Sequence, residues 1–270
     1  MTNPLFSIIT ICYNSEKTLE RTIRSVLNQS YKDIEYIIVD GASTDGTLGI
    51  LKKYEPLFEG RMKWKSEPDK GIYNAMNKGI LRATGEIIGI VNSDDWLEPD
   101  AIENIVKIAE ATKDYQNCIF CGSLKFHYKN GDVQLMKSDE NKFQEGMKRN
   151  SLNYGAYHPS MVVGNQVYAI VGLFDENFNV IADTDFINRC YKSGIKFVFT
   201  EHVVNNMSDG GASNKMNLKK RIPDMIYSCK KNEYNLLKTY WKTSLYILKL
   251  ATKALLGENL MRIYRLRNIK

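Results

Sequence analysis

Three short apolar runs, separated by segments with helical spacing, constrain the fold of this chain most strongly. The runs occupy residues 5–12, 36–39 and 86–91 and are rich in Ile and Val, which favours buried β-strands. The segments between them place apolar residues three or four positions apart, as amphipathic helices do. Strands that alternate with short helices over the first 110 residues predict an α/β fold with a mostly parallel central sheet.

The pattern changes after residue 115. Two runs, 118–128 and 133–136, are joined by the turn residues 129–132 and predict a β-hairpin. We expect the chain beyond the hairpin to be rich in loops up to about residue 215, with a helical tail after it. We also expect the Asn-Ser-Glu segment at 14–16 to begin the first helix, because a capping side chain is followed there by an acid.

The net charge of +6 hides a strong asymmetry between body and tail. Residues 214–270 contain 14 Lys and Arg against 3 Asp and Glu, whereas residues 1–213 have a slight excess of acids. Residues 236–256 predict a helix with a narrow lysine stripe opposite a broad apolar face. Such a helix either packs on the body with its lysines in water or lies in the interface of an anionic membrane. The stripe consists of Lys238, Lys242, Lys249 and Lys253.

Cysteine usage and the N-terminal residues favour a cytoplasmic protein. The five cysteines form no paired framework of the kind found in secreted disulfide scaffolds. We expect neither a signal peptide nor a transmembrane helix, because no basic region precedes an apolar stretch and no run of 18 apolar residues occurs. The acidic body also argues against nucleic acid as a partner.

Acidic residues follow two of the predicted strands. Asp94 and Asp95 end the Asn-Ser-Asp-Asp segment after the third run, and adjacent carboxylates repel each other unless a cation compensates them. Their hard oxygen ligands suit Mg²⁺ or Mn²⁺, although an acidic turn that caps the next helix explains them equally well. Asp40, before Gly41, either binds the base or ribose of a nucleotide or opens a turn.

Candidates outside these strand ends are open to two interpretations each. Asp183 and Asp185 suit a general base, or a helix N-terminus with an Asp185–Arg189 pair one turn apart. Lys70 either contacts a phosphate or is a solvated residue at the start of a helix, and His158 either contacts substrate or is structural.

The segment 41–47 has the glycine spacing of a phosphate loop but lacks its lysine, and GxGxxG after the first run, GxSxG and HExxH are all missing from the sequence.

Taken together, these motifs resemble glycosyltransferase family 2, whose members have a GT-A fold. The matching segments follow the family's order and are residues 7–14, 38–47, 67–79, 91–97, 172–176 and 182–185. The Glu-Pro-Asp-Lys-Gly-Ile-Tyr segment that begins at Glu67 is similar to the branch that builds bacterial surface polysaccharides such as O-antigen, capsule and colanic acid. The resemblance implies a Rossmann-like sheet with helices on both faces. It also implies a GT-A domain over 1–215, with a nucleotide-binding half at 1–115 and an acceptor half at 116–215. The charge and the helical spacing, without the resemblance, predict a basic amphipathic helical tail at 216–270.

The resemblance assigns roles residue by residue. Tyr13 and Asp40 match residues that hold the uridine. Asp94 and Asp95 match the acidic pair of the DxD-type motif, with Asp95 as the more direct metal ligand. Asp183 matches the acid of the second half that acts as base.

Other positions complete the expected site. Lys70, Asn74 and Asn92 fall in the nucleotide-sugar pocket, and His158 and Trp96 fall in the acceptor region.

Two departures from the family pattern stand out. Asn92 occupies the first position of the DxD pattern, so the metal site has one charge fewer. Ala182 replaces the acid that usually precedes the base, which makes Asp185 the second candidate for that role.

The resemblance implies an inverting, metal-dependent hexosyltransferase with Mn²⁺ or Mg²⁺ as cofactor. It would transfer glucose or galactose, in β linkage, from a UDP-sugar to a lipid-linked saccharide such as a GlcNAc- or GalNAc-diphosphoundecaprenol. The enzyme would be cytoplasmic and peripheral on the bacterial inner membrane. Two alternatives differ in class: a sugar-phosphate nucleotidyltransferase, which usually needs a basic glycine-rich loop, and a non-catalytic membrane-binding module.

Overall fold

The computed structural model describes residues 3–148, 155–209 and 218–231. The chain divides into two compact units, Met1–Lys215 and Met216–Lys270. The sheet and the predicted site residues belong to the first unit. The predicted amphipathic helix at 236–256 lies outside the described residues.

The first half of the sheet is the alternating arrangement that the apolar runs predict. Strands β1, β2, β3 and β4 run parallel in the order β3-β2-β1-β4. Their carboxyl ends therefore meet at one edge of the sheet, which is where open parallel sheets bind ligands. The elements are β1 (Phe6–Cys12), α1 (Leu19–Leu27), β2 (Ile34–Asp40), α2 (Thr47–Tyr54), β3 (Met62–Ser66), α3 (Ile72–Ile80) and β4 (Ile87–Ile90).

The second half extends the same sheet with mixed directions. The order continues from β4 through β8, β6 and β9 to β5, with β7 paired to β6. Strand β8 runs antiparallel to both β4 and β6, whereas β9 runs parallel to β6. The elements are β5 (Trp96–Leu97), α4 (Ala101–Glu110), β6 (Cys118–His127), β7 (Val133–Met136), α5 (Glu140–Lys148), β8 (Met161–Gly164), α6 (Asn165–Val171), α7 (Ala182–Lys192) and β9 (Lys196–Ser208).

The α/β fold class is confirmed, and so is the hairpin, because β6 and β7 pair antiparallel from Leu124–Met136 to His127–Val133. The expectation of a loop-rich region up to residue 215 is wrong, since it contains α5, β8, α6, α7 and β9. Strand β9 escaped detection because polar residues such as Asn205 interrupt its apolar pattern.

The predicted start of the first helix is also wrong. Helix α1 begins at Leu19, and Asn14 has a left-handed φ of 48°. Its Oδ1 accepts the backbone N–H of Thr44 at 2.9 Å, and the backbone N–H of Ser15 donates to Thr47 Oγ1 at 2.8 Å. These polar residues therefore join the loop after β1 to the loop after β2 instead of capping a helix.

Burial of the strands forms the core. Every residue of β1, β2 and β4 is buried, as expected for parallel strands covered on both faces. Their side chains pack with apolar residues of α1 and α4, among them Leu19, Ile23, Ile102 and Ile105. This packing fixes the strand ends that position the site.

The second unit contributes helix α8 (Leu218–Lys231), which includes Pro223 and ends in two lysines. Within the residues that the structure describes, no helix is both long and apolar enough to cross a bilayer.

Two adjacent asparagines of β9 differ sharply in their surroundings. Asn205 is completely buried beside Leu97 and Leu124, and neither atom of its amide has a hydrogen-bond partner among the described residues. Asn206 is also buried, but its Nδ2 donates to Glu98 and its Oδ1 lies 2.8 Å from His127 Nε2. An unsatisfied buried amide is destabilising, whereas a bonded one is not.

Asn205→Leu should therefore increase the free energy of unfolding by about 1–3 kcal/mol, because it removes the cost of an unpaired buried amide. Chemical denaturation measures this change. Asn206→Leu on the same strand is the control and should be destabilising, because it removes the hydrogen bonds that Asn206 makes with Glu98 and His127. A loss of stability in Asn205→Leu would contradict the prediction.

Candidate functional site

The parallel strands bring the first predicted site residues to one edge of the sheet. Tyr13 follows β1, Asp40 ends β2, and Asn92 comes just after β4. A hydrogen bond of 2.8 Å between Ser15 and Ser93 joins the first of these loops to the last. The two strand-end acid clusters therefore lie at the same edge of the sheet.

The Asp40 carboxylate is buried and fully hydrogen-bonded within the protein. Its Oδ1 accepts from Ser43 Oγ at 2.5 Å and from the Cys12 thiol at 3.5 Å. Its Oδ2 accepts from Ser43 N at 2.9 Å and from Ser66 Oγ at 2.6 Å. Four donors use the acceptor capacity of a carboxylate. Asp40 therefore joins the ends of β1 and β3 to the loop after β2, and its contact with uridine stays a prediction.

The exposed side of this loop cluster is formed by Tyr13 and Asp69. The Tyr13 side chain is 62% exposed. Between these two side chains lies Gly41, where a Cβ would come within 2.5 Å of Asp69 Oδ2 and 3.4 Å of the Tyr13 ring. A side chain at this position would push the Asp69 carboxylate aside, so glycine lets the carboxylate and the aromatic ring lie close to the backbone. We call this place the Gly41 slot. Asp69 was missed as a site residue, although it lies in the matched segment that begins at Glu67.

Two other residues predicted for the donor pocket differ in their surroundings. The Lys70 side chain is exposed next to this slot. The Asn74 amide is used within the protein, since its Oδ1 accepts from the backbone N–H of Lys70 at 3.2 Å and its Nδ2 donates to Glu176 at 2.9 Å. Contacts of these residues with a nucleotide sugar stay predictions.

The acid pair is electrostatically strained. Burial, with repulsion from Asp94 as the next cause, raises the pKa of Asp95 to about 7. Burial also raises the pKa of Asp94. Asp95 accepts the backbone N–H of Ser208 at 3.1 Å and the Asn92 amide at 3.3 Å, whereas the Asp94 carboxylate receives no hydrogen bond from another residue of the described ranges. Two desolvated neighbouring carboxyls favour a cation between or beside them.

Arg21 and Ser208 support the acid pair, and sequence reasoning missed both. Arg21 Nη2 donates to the Asp94 carbonyl at 2.7 Å and to Ser208 Oγ at 2.8 Å, while Ser208 Oγ donates to the same carbonyl. The Arg21 guanidinium also lies 3.7 Å from the centroid of Trp96, whose ring contacts that of His127. Trp96 thus packs beside the acid pair, and its predicted contact with an acceptor stays a prediction.

The donor set beside β4 fits a hard divalent cation. Asn92 Oδ1 is buried without a hydrogen-bond partner in the described chain, so an amide oxygen is available next to the two carboxylates. Three such oxygens, completed by water and a diphosphate, are typical ligands for Mg²⁺ or Mn²⁺. Residues 3–148, 155–209 and 218–231 contain no cluster of three His, Cys, Asp or Glu that could hold a metal alone.

Asp183 and His158, predicted separately, lie close together. Because β8 is antiparallel to β4, the 3-10 turn His158–Ser160 before β8 lies at the edge where β4 ends. Burial lowers the pKa of His158, and the negative charge of Asp183 acts in the opposite direction. Asp183 stands in the first turn of α7, half-buried, and accepts only the neighbouring Thr184 N–H among the described residues.

Asp185, the second candidate for the base, is buried and paired. Arg189 Nε donates to its Oδ2 at 2.8 Å. The same guanidinium donates to the carbonyls of Val171 and Leu173. Asp185 therefore holds the chain between α6 and α7 through Arg189, and the choice of Asp183 or Asp185 as base stays a prediction.

Comparison with known proteins identifies close relatives in sequence. The profile of glycosyl transferase family 2 matches residues 7–170. An uncharacterized glycosyltransferase of Methanocaldococcus jannaschii is 30% identical over 251 residues, which is 90% of this chain and 81% of the relative. One from Mycobacterium tuberculosis is 31% identical over 69% of this chain and 68% of its own length.

Solved structures share the fold at low identity. S. aureus TarS 1–349 in complex with UDP-GlcNAc superposes with a TM-score of 0.62 at 21% identity, over 79% of this chain and 61% of TarS 1–349. The mannosyltransferase PcManGT of Pyrobaculum calidifontis, in complex with GDP-Man and Mn²⁺, gives a TM-score of 0.65 at 15% identity, over 100% of this chain and 82% of PcManGT. The GT-A fold is therefore confirmed. With a family profile that covers more than half of its length, the chain belongs to glycosyltransferase family 2.

Proposed function

We propose that the chain is an inverting glycosyltransferase that transfers a hexose, glucose or galactose, from a UDP-sugar to a lipid-linked saccharide, in β linkage. The observation that carries the proposal is the separation of two kinds of carboxylate at one sheet edge. Asp94 and Asp95 form a repelling pair beside an unpaired amide oxygen, whereas Asp183 lies in the first turn of α7 near His158. The acid pair suits a cation that binds a diphosphate, and Asp183 suits the role of a base.

The donor is proposed from the slot around Gly41. Tyr13 offers an aromatic face for stacking on a nucleobase, and Asp69 offers a carboxylate that can accept an N–H of the base. TarS and PcManGT were solved with UDP-GlcNAc and GDP-Man respectively, so related folds hold nucleotide sugars. A single carboxylate matches the single ring N–H of uracil, which supports UDP.

A divalent cation, when bound, would neutralise the charge that develops on the leaving diphosphate. Asp95, Asp94 and Asn92 Oδ1 would hold it, and Mn²⁺ and Mg²⁺ both suit these oxygens. Arg21 keeps the acid loop in place through the Asp94 carbonyl.

The transfer itself needs one proton acceptor. The Asp183 carboxylate takes the proton of the acceptor hydroxyl as that oxygen bonds to the anomeric carbon. The bond from this carbon to the diphosphate oxygen breaks, UDP leaves with the electron pair, and the configuration inverts. His158, which lies near Asp183, places a polar ring beside the proposed acceptor region.

We propose that the tail places the enzyme on the cytoplasmic face of the inner membrane. The support is the basic, amphipathic pattern of residues 236–256, which suits an anionic lipid surface. A lipid-linked acceptor cannot leave the bilayer, so an enzyme held at its surface meets it more often.

Asp95→Asn should lower kcat on the order of 100-fold or more, because the site loses a charged ligand for the cation that stabilises the leaving group. UDP release from UDP-glucose and UDP-galactose, with a GlcNAc-diphospho-lipid acceptor, measures this. Asp100→Asn is the matched control, since Asp100 is an exposed acid of the same segment. Undiminished turnover of Asp95→Asn, or of the wild type in EDTA, would contradict the metal assignment.

Asp183→Asn should keep UDP binding but lose transfer by about 10²–10⁴-fold, because an amide cannot accept the proton of the acceptor. Asp185→Asn should retain transfer at low temperature and melt earlier, because it weakens the pair with Arg189. Calorimetric binding of UDP, transfer assays and melting curves separate the two effects. An active Asp183→Asn with an inactive but folded Asp185→Asn would exchange the roles.

His158 provides a pH-dependent probe of the same contact. Its pKa is lowered by burial below the usual 6.5, so the folded protein should lose stability as the pH falls from about 6.5 through that lowered value. Asp183→Asn removes the opposing charge and should lower the pKa of His158 further. NMR titration of the His158 ring measures it, and an unchanged titration would show that the two groups do not interact.

A further inference from the structure

Two asparagines of α3, Asn74 and Asn77, form a hydrogen-bonded clasp with Glu176 in the segment that leads into α7. The amide of Asn77 makes two hydrogen bonds with the backbone of Phe174. Its Nδ2 donates to the Phe174 carbonyl at 2.9 Å, and its Oδ1 accepts from the Phe174 N–H at 3.0 Å. Asn77 Nδ2 also donates to Glu176 Oε1 at 2.9 Å, and Asn74 Nδ2 donates to Glu176 Oε2 at 2.9 Å. Asn74 and Asn77 lie three residues apart on one face of the helix, so a single carboxylate binds both amides.

The Asn74 end of the clasp lies at the loop beside Gly41, where the donor is proposed to bind. Asn74 Oδ1 accepts the backbone N–H of Lys70 at 3.2 Å. Asp69, the preceding residue, lies against Gly41 and accepts the N–H of Gly71 at 2.8 Å. The Asn74 amide therefore connects the loop 69–71 to Glu176.

The other end of the clasp lies near Asp183, the proposed base. The Tyr73 hydroxyl donates to the carbonyl of Val180 at 2.6 Å, two residues before α7 begins. The Phe174 ring lies 5.5 Å from that of His158 and 5.0 Å from that of Phe186 in α7. The contacts of α3 and Phe174 therefore lie next to His158 and next to the start of α7, where Asp183 stands.

We propose that Asn74, Glu176 and Asn77 are positioning residues that hold Asp183 in register with the donor loop 69–71. The proposal rests on the role of Asp183 given above. Asn77 and Tyr73 already attach the segment to α3, so the bond between Asn74 and Glu176 adds the connection to the donor side. The loss of that bond should disturb the geometry of the base more than it disturbs the fold.

The test is a swap of amide and carboxylate. Asn74→Asp keeps the acceptor for Lys70 N–H but sets a second carboxylate against Glu176. We expect kcat for transfer to fall at least about tenfold, because small displacements of a reacting group are costly. The Kd for UDP-glucose and the melting temperature should stay near those of the wild type.

The double variant Asn74→Asp with Glu176→Gln should restore transfer. The new Gln amide can donate to the Asp at 74 and still accept from Asn77 Nδ2, so the bonding pattern returns with its polarity reversed. Recovery of kcat in the double variant is a result that a merely structural role does not explain.

Asn130→Asp is the matched control, because Asn130 Nδ2 donates to the Asp132 carboxylate at 2.9 Å in the exposed hairpin turn. It removes the same kind of bond and should leave kcat unchanged. If Asn74→Asp transfers at the wild-type rate, loses donor binding instead, or is not rescued in the folded double variant, the positioning role is wrong and the glycosyltransferase assignment stands. A wild type that releases no UDP from any UDP-sugar with acceptor present overturns the proposed function and this inference with it.

Discussion

The parallel hydrogen-bond ladder of β1, β2 and β4 is the constraint on which the site depends. It fixes the register from Phe6 with Ile34 and Ile87 to Cys12 with Asp40, so the loops after these strands start at the same level. Side chains that are far apart in the sequence, from Tyr13 to Asp95, lie at the same edge of the sheet for this reason. The buried Asp40 carboxylate then joins the ends of β1 and β3 to the loop after β2 by using every acceptor position that it has.

The first half of the fold could be predicted from sequence because its strands are continuous apolar runs and its helices have a clear period. The second half could not, because groups of polar residues interrupt the apolar pattern of β9 along its thirteen positions and β8 spans only four. Strands of this kind become evident only when their neighbours are known. Pairing with β6 and β4, distant in sequence, decides their structure.

Site residues divide in the same way. Asp95 and Asp183 could be proposed from their segments, but what surrounds them could not. Arg21 lies on a helix face that looks like ordinary solvated surface in the sequence, and Ser208 ends a strand that was not predicted. Glu176 lay in a matched segment, yet no pattern in the sequence indicates that its carboxylate binds two asparagines of α3.

The saturated hydrogen bonding of Asp40 has a thermodynamic consequence for any ligand of this edge. The ends of β1 and β3 and the loop after β2 are already held together by a buried carboxylate, so a ligand need not restrict this backbone further when it binds. The conformational entropy of this backbone is lost during folding rather than during association. Less of the binding free energy of a ligand is therefore spent on ordering the protein at this edge of the sheet.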